Sequence, residues 1–290
     1  MFAPLFPLIP AQAGIQRPRS GRSWVPAFAG TIGLGLALAL TTAAHAADCP
    51  RPANLRFEVT GKIVRSEVGF TQGLEWRDGK LYESTGAIGD HSGLNTIAPD
   101  GTVSKLRDDG TRYFGEGLTI LNDELFQLTW TEHDVFVYDL AGKLQRTMKN
   151  PREGWGLTND GSSLIFSDGG PSFYYADPKT FAITREVKIK SDKGGDIQGL
   201  NELELVEGEL YGNVFMTLRI LRIDPASGCI DGVAEMGSLW RSFTEADKKQ
   251  VTSSEQNVLN GIAYDKASGN FYVTGKSWRT IFVGKFVDAK

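Results

Sequence analysis

Five phrases of one kind punctuate this chain: Gln72-Gly73-Leu74, Glu116-Gly117-Leu118, Trp155-Gly156-Leu157, Asn201-Glu202-Leu203 and Asn260-Gly261-Ile262. Their lead residues stand 44, 39, 46 and 59 positions apart. Periods of that size, built from short strands, specify a propeller. Ten residues after the lead comes the middle of an apolar strand, at Tyr82, Phe126, Ile165 and Tyr211; the fifth repeat takes one residue more, to Phe271. Turns such as Asp78-Gly79, Asp160-Gly161 and Ser268-Gly269 lie between, as hairpins require. Third strands run into turns of their own, as in Asp100-Gly101 and Asp224-Pro225. The expectation is an all-β, five-bladed β-propeller of four-stranded antiparallel blades. The fifth repeat runs out of chain after Phe286, so its outer strand is expected from residues 55–64, which leaves no free radial edge. The long fourth spacing holds Thr244 and Asp247, a capping-box pair for a short exposed helix crossing between blades four and five.

The chain opens differently. Arg17, Arg19 and Arg22 precede an apolar run from about Ala27 to Thr42 and the small-residue pattern Ala44-His45-Ala46. Residues 1–46 read as an export signal cut after Ala46, with the first 20 or so reflecting a start assigned too far upstream. Residues 47–290 then form one domain, exported to the periplasm or secreted. There Cys49 and Cys229 would meet oxidising conditions, and a disulfide between them is one reading; two free buried thiols are the other. A net charge of −4 with no long basic run argues against nucleic acid and against anionic membrane surfaces. After residue 46 the only histidines are His91 and His133, too few for a His-rich catalytic zinc. No Gly-x-Ser-x-Gly elbow supports a serine triad.

In a propeller the innermost strands bring equivalent positions to one rim of the channel. The leads are one carboxylate, three carboxamides and an indole: a group that can move a proton, hydrogen-bonding partners and an apolar wall. Trp130 and Phe215 lie fourteen residues after their leads, and Lys276 sixteen after Asn260, at the ends of the neighbouring strands. Each has a plainer reading. Glu116 alone reads equally well as a carboxylate holding a loop amide, the aromatics as blade packing, Lys276 as a solvated lysine. Gln72, Asn201 and above all Asn260 read as groups satisfying open backbone at a blade corner. Their convergence on one rim favours a shared site.

The phrases Phe70-Thr71-Gln72-Gly73-Leu74, Phe114-Gly115-Glu116-Gly117-Leu118-Thr119, Gln127-Leu128-Thr129-Trp130, Gly154-Trp155-Gly156-Leu157, Leu200-Asn201-Glu202-Leu203-Glu204 and Val273-Thr274-Gly275-Lys276-Ser277-Trp278, in order and in register, resemble the plant and bacterial glutaminyl-peptide cyclotransferases over roughly residues 55–287. The resemblance implies a propeller that converts N-terminal glutamine of peptides into pyroglutamate with release of ammonia, without a cofactor or catalytic metal. It implies Glu116 as the proton-transfer residue, with Gln72, Asn201 and Lys276 as polar pocket members. Phe70, Phe114, Trp130 and Trp155 would be aromatic walls. Phe215 stands where that family usually carries tryptophan, and residues 86–95 depart from its pattern. Partners would be peptides with N-terminal glutamine, and a monomer is expected.

The chemistry asks for the same residue types. Cyclisation needs the α-ammonium deprotonated, its nitrogen brought onto the side-chain amide carbon, the oxyanion held and a proton delivered to departing ammonia. One carboxyl with a raised pKa can make both transfers, and Trp155 N–H, Asn201 or Gln72 are candidates for the oxyanion. The rival reading is a non-catalytic exported propeller that binds peptides or glycans. A glycosidase would need two facing carboxylates, whereas Glu202 and Glu204 are offset from the lead position.

Overall fold

The computed structural model describes residues 49–87 and 91–289; the segment expected to be an export signal lies outside them. Blade one comprises Thr71–Arg77, Lys80–Thr85, Ser92–Ile97 and Val103–Gly110. Blade two comprises Gly115–Leu121, Glu124–Thr129, Asp134–Asp139 and Leu144–Lys149. Blade three is Leu157–Asn159, Leu164–Ser167, Ser172–Ala176 and Ile183–Lys188. Blade four is Leu200–Val206, Glu209–Val214, Arg219–Ile223 and Ile230–Glu235. Leu259–Asp265, Asn270–Gly275 and Thr280–Asp288 supply three strands of blade five. Its fourth is Ala53–Val64, which runs antiparallel to Thr280–Asp288 from Leu55↔Asp288 to Val64↔Thr280. The first strand of each blade touches those of its two neighbours, so the five inner strands close a ring.

The second strand of every blade explains why the repeats carry paired apolar residues. Side chains alternate across a strand, and a blade is buried on both faces. Leu81 and Tyr82, Leu125 and Phe126, Ile165 and Phe166, Leu210 and Tyr211, and Phe271 and Tyr272 each divide between two different core clusters. Five such clusters fill the five interfaces between blades, and each fully buried Leu or Phe in them contributes about 1.5–3 kcal/mol.

Inner strands approach one another closely at the residue after the lead. A Cβ on Gly73 would lie 2.4 Å from the Leu118 nitrogen, on Gly117 2.5 Å from the Leu157 nitrogen, and on Gly156 1.9 Å from the Asn201 carbonyl oxygen. The recurring glycine is a packing requirement. Blade four carries Glu202 there instead, and its side chain occupies the channel, accepting hydrogen bonds from the Leu74 N–H at 3.1 Å and the Ile262 N–H at 2.7 Å.

Ring closure is reinforced by three sets of contacts. Arg65, fully buried at the end of the closing strand, donates to Thr71 Oγ1 and Glu83 Oε1 of blade one and to the Trp278 carbonyl of blade five. Ala53–Leu55 also pairs in parallel with Gly232–Ala234, joining blades four and five in one eight-stranded sheet. A disulfide ties Cys49 to Cys229 of blade four across 180 residues. The insertion after blade four holds a 3-10 turn, Met236–Ser242, and a helix, Glu245–Val251, whose N-cap Thr244 forms the capping box with Asp247. Met236, Leu239 and Phe243 root it in the core while most of the helix stays exposed.

Candidate active site

Four of the five leads sit where their inner hairpin breaks register. The ladder shifts between Thr71 and Gly73, Gly115 and Leu118, Leu200 and Leu203, and Leu259 and Ile262. A bulge at this point turns the lead side chain out of the blade's alternation, a device common beside active sites. Trp155 differs: blade three's inner strand begins two residues later, so its ring stands on the preceding loop. Trp130, Phe215 and Lys276 are each the first residue past the second strand of their blade.

The result is a polar floor beneath an aromatic mouth. Gln72, Glu116, Asn201 and Lys276 are buried, whereas Phe70, Phe114, Trp130, Trp155 and Phe215 are half-buried. Phe114 packs on Trp130 with ring centres 5.6 Å apart, and Trp155 meets Phe215 edge-on at 5.5 Å. Glycines seat two of these rings: a Cβ at Gly86 would lie 2.4 Å from Phe114 Cε1, and one at Gly169 2.6 Å from Trp155 Cζ2. Lys276 Nζ lies between aromatic faces, 5.2 Å from the Phe70 ring centre and 5.0 Å from that of Phe215. The backbone bridge between Phe70 and Lys276 brings blade one and blade five together there.

Burial raises the Glu116 carboxyl well above its ordinary range; the Lys276 charge opposes this, and Glu132 and Glu153 add to it. Burial also lowers the Lys276 ammonium, with Glu116 pulling the other way. A carboxyl raised in this way is suited to take up and return a proton. Gln72 Oε1 and Asn201 Oδ1 are buried with no protein partner. Asn260 is committed elsewhere: its Nδ2 donates to the Thr71 carbonyl at 3.1 Å and more weakly to that of Gln72 at 3.4 Å, a corner-holding role.

The Trp155 indole N–H, one of the oxyanion candidates, has a protein partner: it donates to Glu153 Oε2 at 3.2 Å, and the Trp130 N–H donates to the same atom at 3.0 Å. Glu153 and Glu132, which accepts from the Phe114 N–H at 3.2 Å, are site residues that the repeat pattern missed. Neither occupies a repeat-equivalent position, and the only signal was an acidic residue two places from Trp130 or Trp155. Beside Trp155 and Glu153 opens a groove of about 390 Å³, its far side formed by Arg152 paired with Asp168 at 2.5 Å. Among the described residues no group of three or more His, Cys, Asp or Glu side chains is placed to hold a metal ion. Glu202 and Glu204 do not face each other as an acid pair across a substrate, since both accept backbone N–H groups of neighbouring inner strands.

The sequence pattern of glutamine cyclotransferases matches residues 33–286. Over 235 residues the chain is 34% identical to a glutaminyl-peptide cyclotransferase of Arabidopsis thaliana, covering 80% of this chain and 72% of that one. The crystal structure of Myxococcus xanthus glutaminyl cyclase superposes with a TM-score of 0.74 at 31% identity, over 83% of this chain and all of that one. Fold, floor and mouth, together with these likenesses, show that the chain belongs to the glutamine cyclotransferase family.

Proposed function

We propose that this protein cyclises the N-terminal glutaminyl residue of peptides to pyroglutamate, releasing ammonia, with Glu116 moving the proton and no metal taking part. The observation that carries the reading is the buried Glu116 carboxyl, raised by burial, at the floor of an aromatic mouth. The glutaminyl side chain, folded between Trp130, Trp155 and Phe215, has its α-nitrogen within reach of its own amide carbon; intramolecularity makes that positioning effective. Glu116 accepts the proton from the α-nitrogen as the new C–N bond forms. It returns the proton to the amide nitrogen, which leaves as ammonia when the old C–N bond breaks. N–H donation from the Gln72 and Asn201 carboxamides, together with the Lys276 charge, stabilises the oxyanion between these steps. The remainder of the peptide leaves along the groove flanked by Glu153 and Arg152.

Export is part of the same reading. The Cys49–Cys229 disulfide is of a kind that persists in oxidising compartments, which supports a periplasmic or secreted protein.

The test is ammonia release, with loss of about 17 Da from a Gln-initiated dipeptide, since cyclisation expels one NH3. Wild-type protein should turn over with chelator present, and Glu116→Gln should lose about 10²–10⁴-fold in kcat with its fold unchanged. Near-normal turnover by Glu116→Gln would remove the proton-transfer assignment. A folded wild-type protein that bound glutaminyl peptides without releasing ammonia would return the chain to the peptide-binding reading.

A further inference from the structure

One carboxylate oxygen receives both indole groups of the mouth. Trp130 Nε1 and Trp155 Nε1 reach Glu153 Oε2 from different blades, at 3.0 and 3.2 Å. An indole has a single donor and no acceptor, so a fixed acceptor sets the direction in which each ring points. The loop bearing Glu153 is itself held: the Gly154 N–H donates to the Trp130 carbonyl at 3.2 Å, and the Arg152 N–H to Asn150 Oδ1 at 3.0 Å. Phe114 rests on Trp130 and Phe215 on Trp155, so four of the five wall residues depend on where this pair of indoles stands.

We propose that Glu153 is a positioning residue, a clamp that sets the separation of Trp130 and Trp155 to suit a folded glutaminyl side chain. The proposal rests on the cyclase reading for its substrate but not for its geometry. An exposed carboxylate is ordinarily left to solvent; two indole donors arriving at one of its oxygens from opposite sides of a blade boundary are not an incidental surface contact. The clamp also brings a negative charge toward Glu116. Around that carboxyl, Lys276 from blade five favours ionisation, while Glu132 from blade two and Glu153 from the loop before blade three oppose it.

The experiment compares Glu153→Gln, which keeps an acceptor oxygen but removes the charge, with Glu153→Ala, which keeps neither. The first readout is the set of indole N–H resonances in full-length protein labelled with ¹⁵N-tryptophan, which has six tryptophans; Trp130→Phe and Trp155→Phe assign the two that matter. Glu153→Ala should shift both resonances, and Glu153→Gln should leave both near their wild-type positions. The second readout is cyclase kinetics. Glu153→Ala should lose about tenfold in kcat/KM, mostly through KM, as expected when one charged hydrogen-bond acceptor is removed. Glu153→Gln should recover to within about threefold, with the acid limb of its pH profile moved to lower pH because a charge opposing Glu116 ionisation is gone. Unmoved resonances in Glu153→Ala, or a Glu153→Gln protein as impaired as Glu153→Ala in both readouts, would overturn the clamp. Resonances that respond as stated in a protein without turnover would keep the clamp and refute the cyclase reading instead.

Discussion

Lys276 and Glu116 share one enclosed space, and each shifts the other toward its charged form while burial pushes both toward neutrality. Removing the lysine charge therefore has a definite sign. In Lys276→Met the Glu116 carboxyl should rise further, so the limb of kcat/KM on which a base must be ionised moves to higher pH. A pH–rate profile of the variant against wild type measures it; a limb that stayed in place would mean that the two groups do not interact during catalysis. Glu116, Gln72, Asn201 and Lys276 were legible in the sequence because repeat-equivalent positions must converge on one rim, whatever their chemistry. Glu153 and Glu132 were not, because a loop residue's neighbours depend on how two blades meet.

In the inner hairpins of blades one, two and five, the lead residue and the glycine after it do different jobs. The bulge aims the lead, and the glycine lets adjacent inner strands touch. Gly117→Ala should cost about 3 kcal/mol or more in urea denaturation, because its methyl group would meet backbone that cannot yield. Gly237→Ala is the control: its nearest neighbour would be Leu218 Cδ1 at 3.9 Å, and a change within about 0.5 kcal/mol is expected. Equal losses at the two positions would contradict the packing account. The capping box of Thr244 and Asp247 was legible for a local reason, since its hydrogen bonds join residues three apart. Blade three's inner strand was harder to delimit: it is three residues long, and Trp155, aligned with the other leads, falls outside it.

Across the whole molecule, the channel holds an acidic group with consequences for stability. Burial pushes Glu75 up to about 7, and burial together with the neighbouring carboxylates raises Glu204 well above its ordinary range. Glu202 is raised in the same direction by burial, with Glu75 adding to it and the two backbone N–H groups opposing. The folded protein thus keeps protons that the unfolded chain releases above about pH 4.3. Stability from these groups is greatest below that value and is lost as pH rises toward 7 and beyond. The carboxyls lowered by surface hydrogen bonds, such as those of Asp108 and Asp177, act with the opposite sign at more acidic pH. Urea midpoints should fall between about pH 5 and 7.5, and Glu75→Gln should flatten part of that slope; an identical slope in the variant would place the proton uptake elsewhere.

The number of blades, their strand order and the closing strand were all present in the chain's periodicity, because a repeat that cannot bury its own faces must stack on copies of itself and a missing strand must come from the other terminus. Residue chemistry at the rim followed from the same periodicity. The corner-holding part of Asn260, which turns to the backbone of blade one, was read from its place in the repeat; what the chain does along one dimension could not reveal is how loops from different blades meet: that Glu153 collects the N–H groups of Trp130 and Trp155, and that Glu202 spans the channel where the other blades carry glycine. Those contacts join residues 2 to 189 positions apart, and burial, charge and hydrogen bonding assign their roles only once the ring has closed.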